Sequence, residues 1–266
     1  MQPEGEESPI FFVHGGAGHV FLFDELAAQF RPKRPFYAFQ PTDWEDGHLH
    51  PPEVKAMAAQ YLAEMRQVQP IGPYTIGGFC FGGSIAMEMA HQLEQAGEAV
   101  QEVLLVEPGP PALHKVETLP TAASPILTTP SSEEPKLQTV RARLGRLKWA
   151  MKRPFVKLRN DAKGWRRSWQ ASYVKLLLTL DRPVPPSQRD TYFLHFVSRK
   201  SWDNYEARSI NGRIRLFLHH NRTPTDPRWR WLTLANPDSA YHILPTDHFG
   251  ILQAPHVQEV AKIIEA

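Results

Sequence analysis

Over its first 110 residues the chain alternates short apolar runs with stretches of helical periodicity, the pattern of a parallel sheet with crossover helices. Ile10 to Val13, Phe36 to Phe39, Tyr74 to Phe79 and Val103 to Glu107 read as strands, with Val20 to Phe30, Glu53 to Val68 and Gly83 to Ala96 as the helices between them. In the second of these helices Val54, Met57, Ala58, Tyr61, Leu62, Met65 and Val68 recur at spacings of three and four, which gives one apolar face. Gly97 ends the third helix, and Pro108 stops the strand that follows it.

After Pro111 the alternation breaks and resumes only with strands at Arg213 to His219 and Tyr241 to Leu244 and a helix from His256 to Ile264. Residues from about 112 to 190 therefore read as an insertion. Within it, Leu137, Val140, Leu144, Leu147 and Met151 predict one amphipathic helix, interrupted by Pro154, while Trp165, Trp169, Tyr173, Leu176 and Leu180 predict a second. The expected architecture is a single α/β domain over 9–266, a mostly parallel sheet flanked by helices with a helical insertion. Residues 1–8, acidic and Pro-containing, suit a tail or linker. At 266 residues the chain is long enough to bury the core this requires.

The lone cysteine, Cys80, excludes an intrachain disulfide and suits a reducing, cytoplasmic setting. No apolar run approaches the roughly 20 residues needed to cross a bilayer, and the start carries Glu4, Glu6 and Glu7 rather than a basic and then hydrophobic leader. A net charge of +2 argues against a general nucleic-acid-coating protein. The turn His14-Gly15-Gly16-Ala17-Gly18 lacks dinucleotide-fingerprint spacing and carries no P-loop lysine, so no cofactor is expected. His219 and His220 end a strand and project to opposite faces, and His48 and His50 lie in a polar loop without further ligands, so no metal site is expected.

Gly78-Phe79-Cys80-Phe81-Gly82 lies between a predicted strand and a predicted helix, the context of a nucleophile elbow with Cys instead of Ser. A strand that turns sharply into a helix holds its central residue in strained backbone angles, and small neighbours at Gly78, Gly82 and Gly83 let the two elements approach. A free thiol is mostly protonated at neutral pH and needs an imidazolium or a helix N-terminus beside it to react. The chain order nucleophile, acid, His makes His248 the candidate base, in the loop between the last strand and the last helix. Two carboxylates compete to orient it: Glu107, preferred for standing at a strand's carboxyl end, and Asp226. Backbone N–H groups of Phe81 and of Gly16 or Ala17 are the expected oxyanion donors, with His14 shaping the glycine-rich turn.

Taken together, these residues resemble the thioesterase domains of nonribosomal peptide and polyketide synthases and their free-standing relatives. The likeness covers most of the chain. It rests on Phe11-Phe12-Val13-His14-Gly15-Gly16, Gly72-Pro73-Tyr74, Gly77 to Gly83, Ala86 to Ala90, Gln92-Leu93, Gly97, Asn204-Tyr205, Gly212-Arg213-Ile214 and Asp247-His248-Phe249. The resemblance implies an α/β-hydrolase sheet under a helical lid and a substrate delivered as a thioester on the phosphopantetheine arm of an acyl or peptidyl carrier protein. The family usually has Ser at the Cys80 position and Asp at the Glu107 position, so this chain departs twice. Cysteine would make the acyl-enzyme a thioester, which keeps more acyl-transfer potential and suits release to a hydroxyl that closes a lactone as well as to water.

Between Lys136 and Arg167 there are twelve Lys or Arg and a single acid, Asp161, so the positive charge is concentrated in the insertion and the rest of the chain is net acidic. Such a lid would attract an acidic carrier protein. Two other readings remain open: a small-ester hydrolase like dienelactone hydrolases, which also use Gly-x-Cys-x-Gly, and a catalytically silent carrier-binding module.

Overall fold

Six strands form one fully parallel sheet in the order β2-β1-β3-β4-β5-β6: β1 Ile10–Val13, β2 Phe36–Phe39, β3 Tyr74–Phe79, β4 Val100–Val106, β5 Arg213–His219 and β6 Ala240–Leu244. The structure, a computed structural model, describes residues 1–41, 53–111, 168–220 and 225–266. The basic segment 136–167, the expected helix at Leu137 to Met151 and the His48/His50 loop lie outside the described residues.

Because strand side chains alternate, each strand feeds two cores. Phe11 and Val13 of β1, Val103 and Leu105 of β4, and Ile214, Leu216 and Leu218 of β5 pack beneath α2 (Val54–Val68) and α3 (Gly82–Gln95). Their alternates Ile10, Phe12, Leu104, Val106 and Phe217 face α1 (Asp24–Gln29) and α7 (His256–Glu265). The stripe Val54, Met57, Ala58, Tyr61, Leu62 and Met65 of α2 is buried, as its spacing predicts, whereas Val68, the last residue of the helix and of the expected face, is exposed. The stretch expected as one helix from Val20 instead opens with a 3₁₀ turn, Phe21–Phe23, before α1.

The segment joining β4 to β5 is helical again wherever it is described: α4 at 168–179, α5 Arg189–Tyr192, a π-helical turn Phe193–Val197 and α6 Ser198–Asp203. On α4 the buried contacts come from Val174 and Leu178, which pack on Tyr192, Phe193 and Val197. The expected stripe is not the buried one: Trp169, Leu176 and Leu180 are exposed, because the helix turns its other side toward α5 and the π turn. Helical structure continues beyond residue 190 to Asp203. Among the described residues no helix is long and apolar enough to cross a membrane.

Strand order reverses between β1 and β3, since β1 leads outward to β2 while β3 leads the other way to β4, β5 and β6. Open parallel sheets form their clefts at the carboxyl ends of strands beside such a switch. Val13 is paired with Gly78, so the glycine-rich turn after β1 and the Cys80 turn after β3 emerge side by side. The helix that follows can start this close only because Gly78 and Gly82 carry no side chain: a Cβ on Gly78 would run into the Gly82 carbonyl, and one on Gly82 into the carbonyls of Val13 and His14. All of these obstacles are backbone and none can rotate away. Gly82→Ala is therefore expected to destabilise the fold by about 2 kcal/mol or more, read as a lower midpoint in urea unfolding.

Candidate active site

Five chain segments end along one edge of the sheet, and the sequence-predicted residues sit on four of them in strand order, His14 to Ala17 after β1, Cys80 after β3, Glu107 after β4 and His248 after β6, with His219 closing β5 between the last two. Cys80 occupies the left-handed region at φ +54°, as a sharp strand-to-helix turn demands. For a residue with a Cβ this costs on the order of 1–2 kcal/mol. The turn is held by the Cys80 N–H donating to Val106 O at 3.0 Å and by the Gly83 N–H donating to Cys80 O at 3.2 Å. The thiol is neither lost in the core nor fully exposed.

Glu107 is also left-handed, at φ +47°, and is buried. Its N–H donates to Phe217 O at 2.9 Å, which pins the first residue past β4 to the neighbouring strand. The carboxylate is thereby aimed along the sheet edge. Oε1 accepts the His219 backbone N–H at 2.5 Å, and Oε2 lies 3.1 Å from His248 Nδ1. The His219 ring is close as well, with Nε2 3.8 Å from Oε2.

With Nδ1 donating to Glu107, the other ring nitrogen of His248 is left for the Cys80 side chain, which lies near enough to favour the charged ring. Partial burial works against a charged ring, but the interactions with Cys80 and Glu107 outweigh it and push the His248 pKa up to about 9. The imidazole rests against two rings, with the Phe79 centroid at 4.8 Å and that of Phe249 at 4.9 Å. Asp247 shapes the loop by accepting the N–H groups of Phe249 and Gly250 at 3.1 and 2.8 Å.

Asp226, the alternative acid, is turned elsewhere: it caps a 3₁₀ segment through the Arg228 N–H and holds the Arg228 guanidinium at 3.0 Å. The geometry thus joins His248 to Glu107 of the two candidates. His14 is buried and shapes its turn, as expected. Burial drives its pKa down to about 4, so the ring is neutral. Nδ1 then donates to Gly15 O at 2.6 Å and Nε2 accepts the Tyr61 hydroxyl at 3.0 Å. Phe81, directly after Cys80, is the N-cap of α3, and Gly16 and Ala17 lie in the adjoining turn. His220 instead contacts Thr246 O at 2.9 Å. Among the described residues no group of three or more His, Cys, Asp or Glu is arranged to hold a metal.

Three contributors to this arrangement escape sequence reasoning. The His219 N–H on Glu107 and the Phe79 ring beneath His248 depend on strand neighbours distant in sequence. The Asp247 turn had a local signal, an Asp just before a turn, which caps N–H groups two and three residues on.

A profile of the thioesterase domain family matches residues 8–266. An atromentin synthetase of Tapinella panuoides is 43% identical over 106 residues, 40% of this chain and 11% of that protein. The inactive atromentin synthetase invA4 of Paxillus involutus is 28% identical over 277 residues, 100% of this chain and 27% of that protein. The chain therefore spans only a minor part of the curated relatives' length. The crystal structure of the NocB thioesterase domain in covalent complex with a fluorophosphonate nocardicin G analog has the same fold, with a TM-score of 0.62 at 19% identity over 98% of this chain and 94% of that one. With the parallel sheet and flanking helices of an α/β-hydrolase, and with a family match running almost from end to end, this chain belongs to the thioesterase domain family.

Proposed function

We propose that this domain accepts an acyl or peptidyl group from the phosphopantetheine thioester of a carrier protein onto Cys80 and releases it by hydrolysis or by intramolecular closure, such as lactone formation, in natural-product biosynthesis. The single observation that carries the reading is that His248 is hydrogen-bonded to Glu107 and interacts with Cys80, the latter on a strained turn. The family match supports thioester chemistry, and the synthetases among the relatives support a biosynthetic setting.

In the first half-reaction Cys80 Sγ attacks the thioester carbonyl carbon, and the proton shared by Sγ and His248 Nε2 passes to the arm's sulfur as its bond to carbon breaks. In the second, water or a substrate hydroxyl attacks the new thioester. His248 takes its proton and returns it to Sγ as the acyl group leaves. Glu107 keeps Nδ1 protonated and faces the charge that develops on the ring. N–H groups of Phe81 and of Gly16 or Ala17 receive the carbonyl oxygen's negative charge, each worth about 3 kcal/mol in the transition state. No cofactor takes part beyond the arm that carries the substrate. The basic segment 136–167 would draw an acidic carrier protein toward the cleft.

Intact mass after incubation with an acyl-pantetheine thioester tests the reading directly. An acyl adduct is expected on wild-type protein and none on Cys80→Ala; turnover of small lactones alone would favour the dienelactone-hydrolase-like reading, and neither outcome a silent carrier-binding module. Glu107→Gln is expected to slow release by about 100-fold or more, since the neutral amide neither fixes the tautomer nor balances the imidazolium. Cys80→Ser is expected to shift products toward hydrolysis; an unchanged distribution would remove the argument for cyclisation.

Stability should respond to pH from both sides. His248 binds its proton more tightly when folded, so its contribution is complete below pH 6.5 and is lost as pH rises to about 9. His14 binds its proton less tightly when folded, so stability also falls as pH drops from 6.5 to about 4. In thermal unfolding followed from pH 4 to 9, Glu107→Gln should flatten the alkaline decline and leave the acid one in place.

A further inference from the structure

The peptide groups after Gly15 and Gly16 are each gripped by their carbonyl, and from different parts of the fold. Gly15 O accepts His14 Nδ1 at 2.6 Å and the Gly18 N–H at 3.0 Å. Gly16 O accepts the Ser198 hydroxyl at 2.7 Å. A trans peptide is planar, with its N–H pointing opposite to its C=O. Fixing Gly15 O therefore aims the Gly16 N–H, and fixing Gly16 O aims the Ala17 N–H. The first grip is local to the turn and is backed by Tyr61 of α2. The second comes from the start of α6, in the helical segment that returns from the insertion, 182 residues away.

Ser198 is buried, and the rest of that segment also presses on the same turn. The Leu194 side chain lies against Gly16 and Phe193 against Gly18. The Phe193 ring meets His14 edge-on at 6.5 Å, and Asp190 pairs with His19 at 2.7 Å. The π turn at Phe193–Val197 shifts the helix phase between Asp190 and Ser198, so that both reach the turn.

We propose that Ser198 is a positioning residue that aims the Ala17 N–H at the carbonyl oxygen of the substrate bound at Cys80, and so ties the oxyanion site to the helices of the insertion. This rests on the reading of Cys80 as nucleophile. The hydroxyl does not touch substrate; it acts through one peptide plane. Without it the Gly16–Ala17 peptide is free to rotate, and the donor is misdirected while the thiol and His248 stay in place.

Two reactions of the same sulfur separate these claims. Acylation by an acyl-pantetheine thioester builds negative charge on a carbonyl oxygen, whereas alkylation by iodoacetamide displaces iodide from a saturated carbon and builds none there. Both are followed by intact mass on wild type, Ser198→Ala and Ser198→Thr. In Ser198→Ala, acylation is expected to slow about 10- to 100-fold, with kcat for release reduced and KM changed less than about threefold, while alkylation stays within about twofold of wild type. Ser198→Thr, which keeps the hydroxyl, is expected to recover most of the acylation rate.

Equal acylation rates in wild type and Ser198→Ala would overturn the proposal. So would parallel slowing of acylation and alkylation, which marks a general distortion of the site, or a Ser198→Thr no better than Ser198→Ala. If Ser198→Ala does not fold, Ser198→Thr carries the test alone, and slow acylation with unchanged alkylation in it would count against the hydroxyl's role. A wild-type protein that is alkylated but never acylated would sink the Cys80 reading itself, an outcome distinct from any of these.

Discussion

The arrangement depends on the contact between the end of β3 and the start of α3. There the chain reverses direction over Phe79, Cys80 and Phe81, and the space it needs exists because Gly78 and Gly82 leave backbone against backbone. The strain placed on Cys80 is held by neighbours that are themselves fixed, Val106 on one side and the first turn of α3 on the other. A strained residue persists when its surroundings leave no alternative, and the parallel sheet supplies that rigidity. The left-handed backbone of Glu107 is set in the same way, by the ladder to β5.

From this frame the site is assembled by adjacency along the sheet edge. Five of the six strand ends contribute to it, and the reversal of strand order next to β1 sets the glycine-rich turn beside the Cys80 turn. His248 comes from the loop after β6, farthest along the sheet from β1, and its ring reaches Glu107 while resting against Phe79 and Phe249. The Glu107 carboxylate is held by a two-point grip, one oxygen on the His219 N–H and the other on His248. Two histidines of opposite character result. His14, buried among neutral partners, stays uncharged, whereas His248, beside a carboxylate and a thiol, holds its proton.

The chain's periodicity determined much of this. Alternating apolar runs fixed the number, direction and approximate bounds of the strands, because a strand buried on both faces must be apolar throughout. The glycine spacing around Cys80 marked the elbow, because only glycine tolerates backbone contact there. Position relative to the strand ends singled out His248 among twelve histidines and ranked Glu107 first as its partner. The tertiary structure decided what depends on groups far apart in sequence: that His248 meets Glu107 while Asp226 is taken by Arg228, that the His219 backbone steadies the carboxylate, that α4 buries Val174 and Leu178 rather than the Trp169 stripe, and that Ser198 reaches Gly16. Local patterns record which face a segment buries and where it turns, but a hydrogen bond between distant residues is set by how the elements pack, and leaves no periodic trace in the chain.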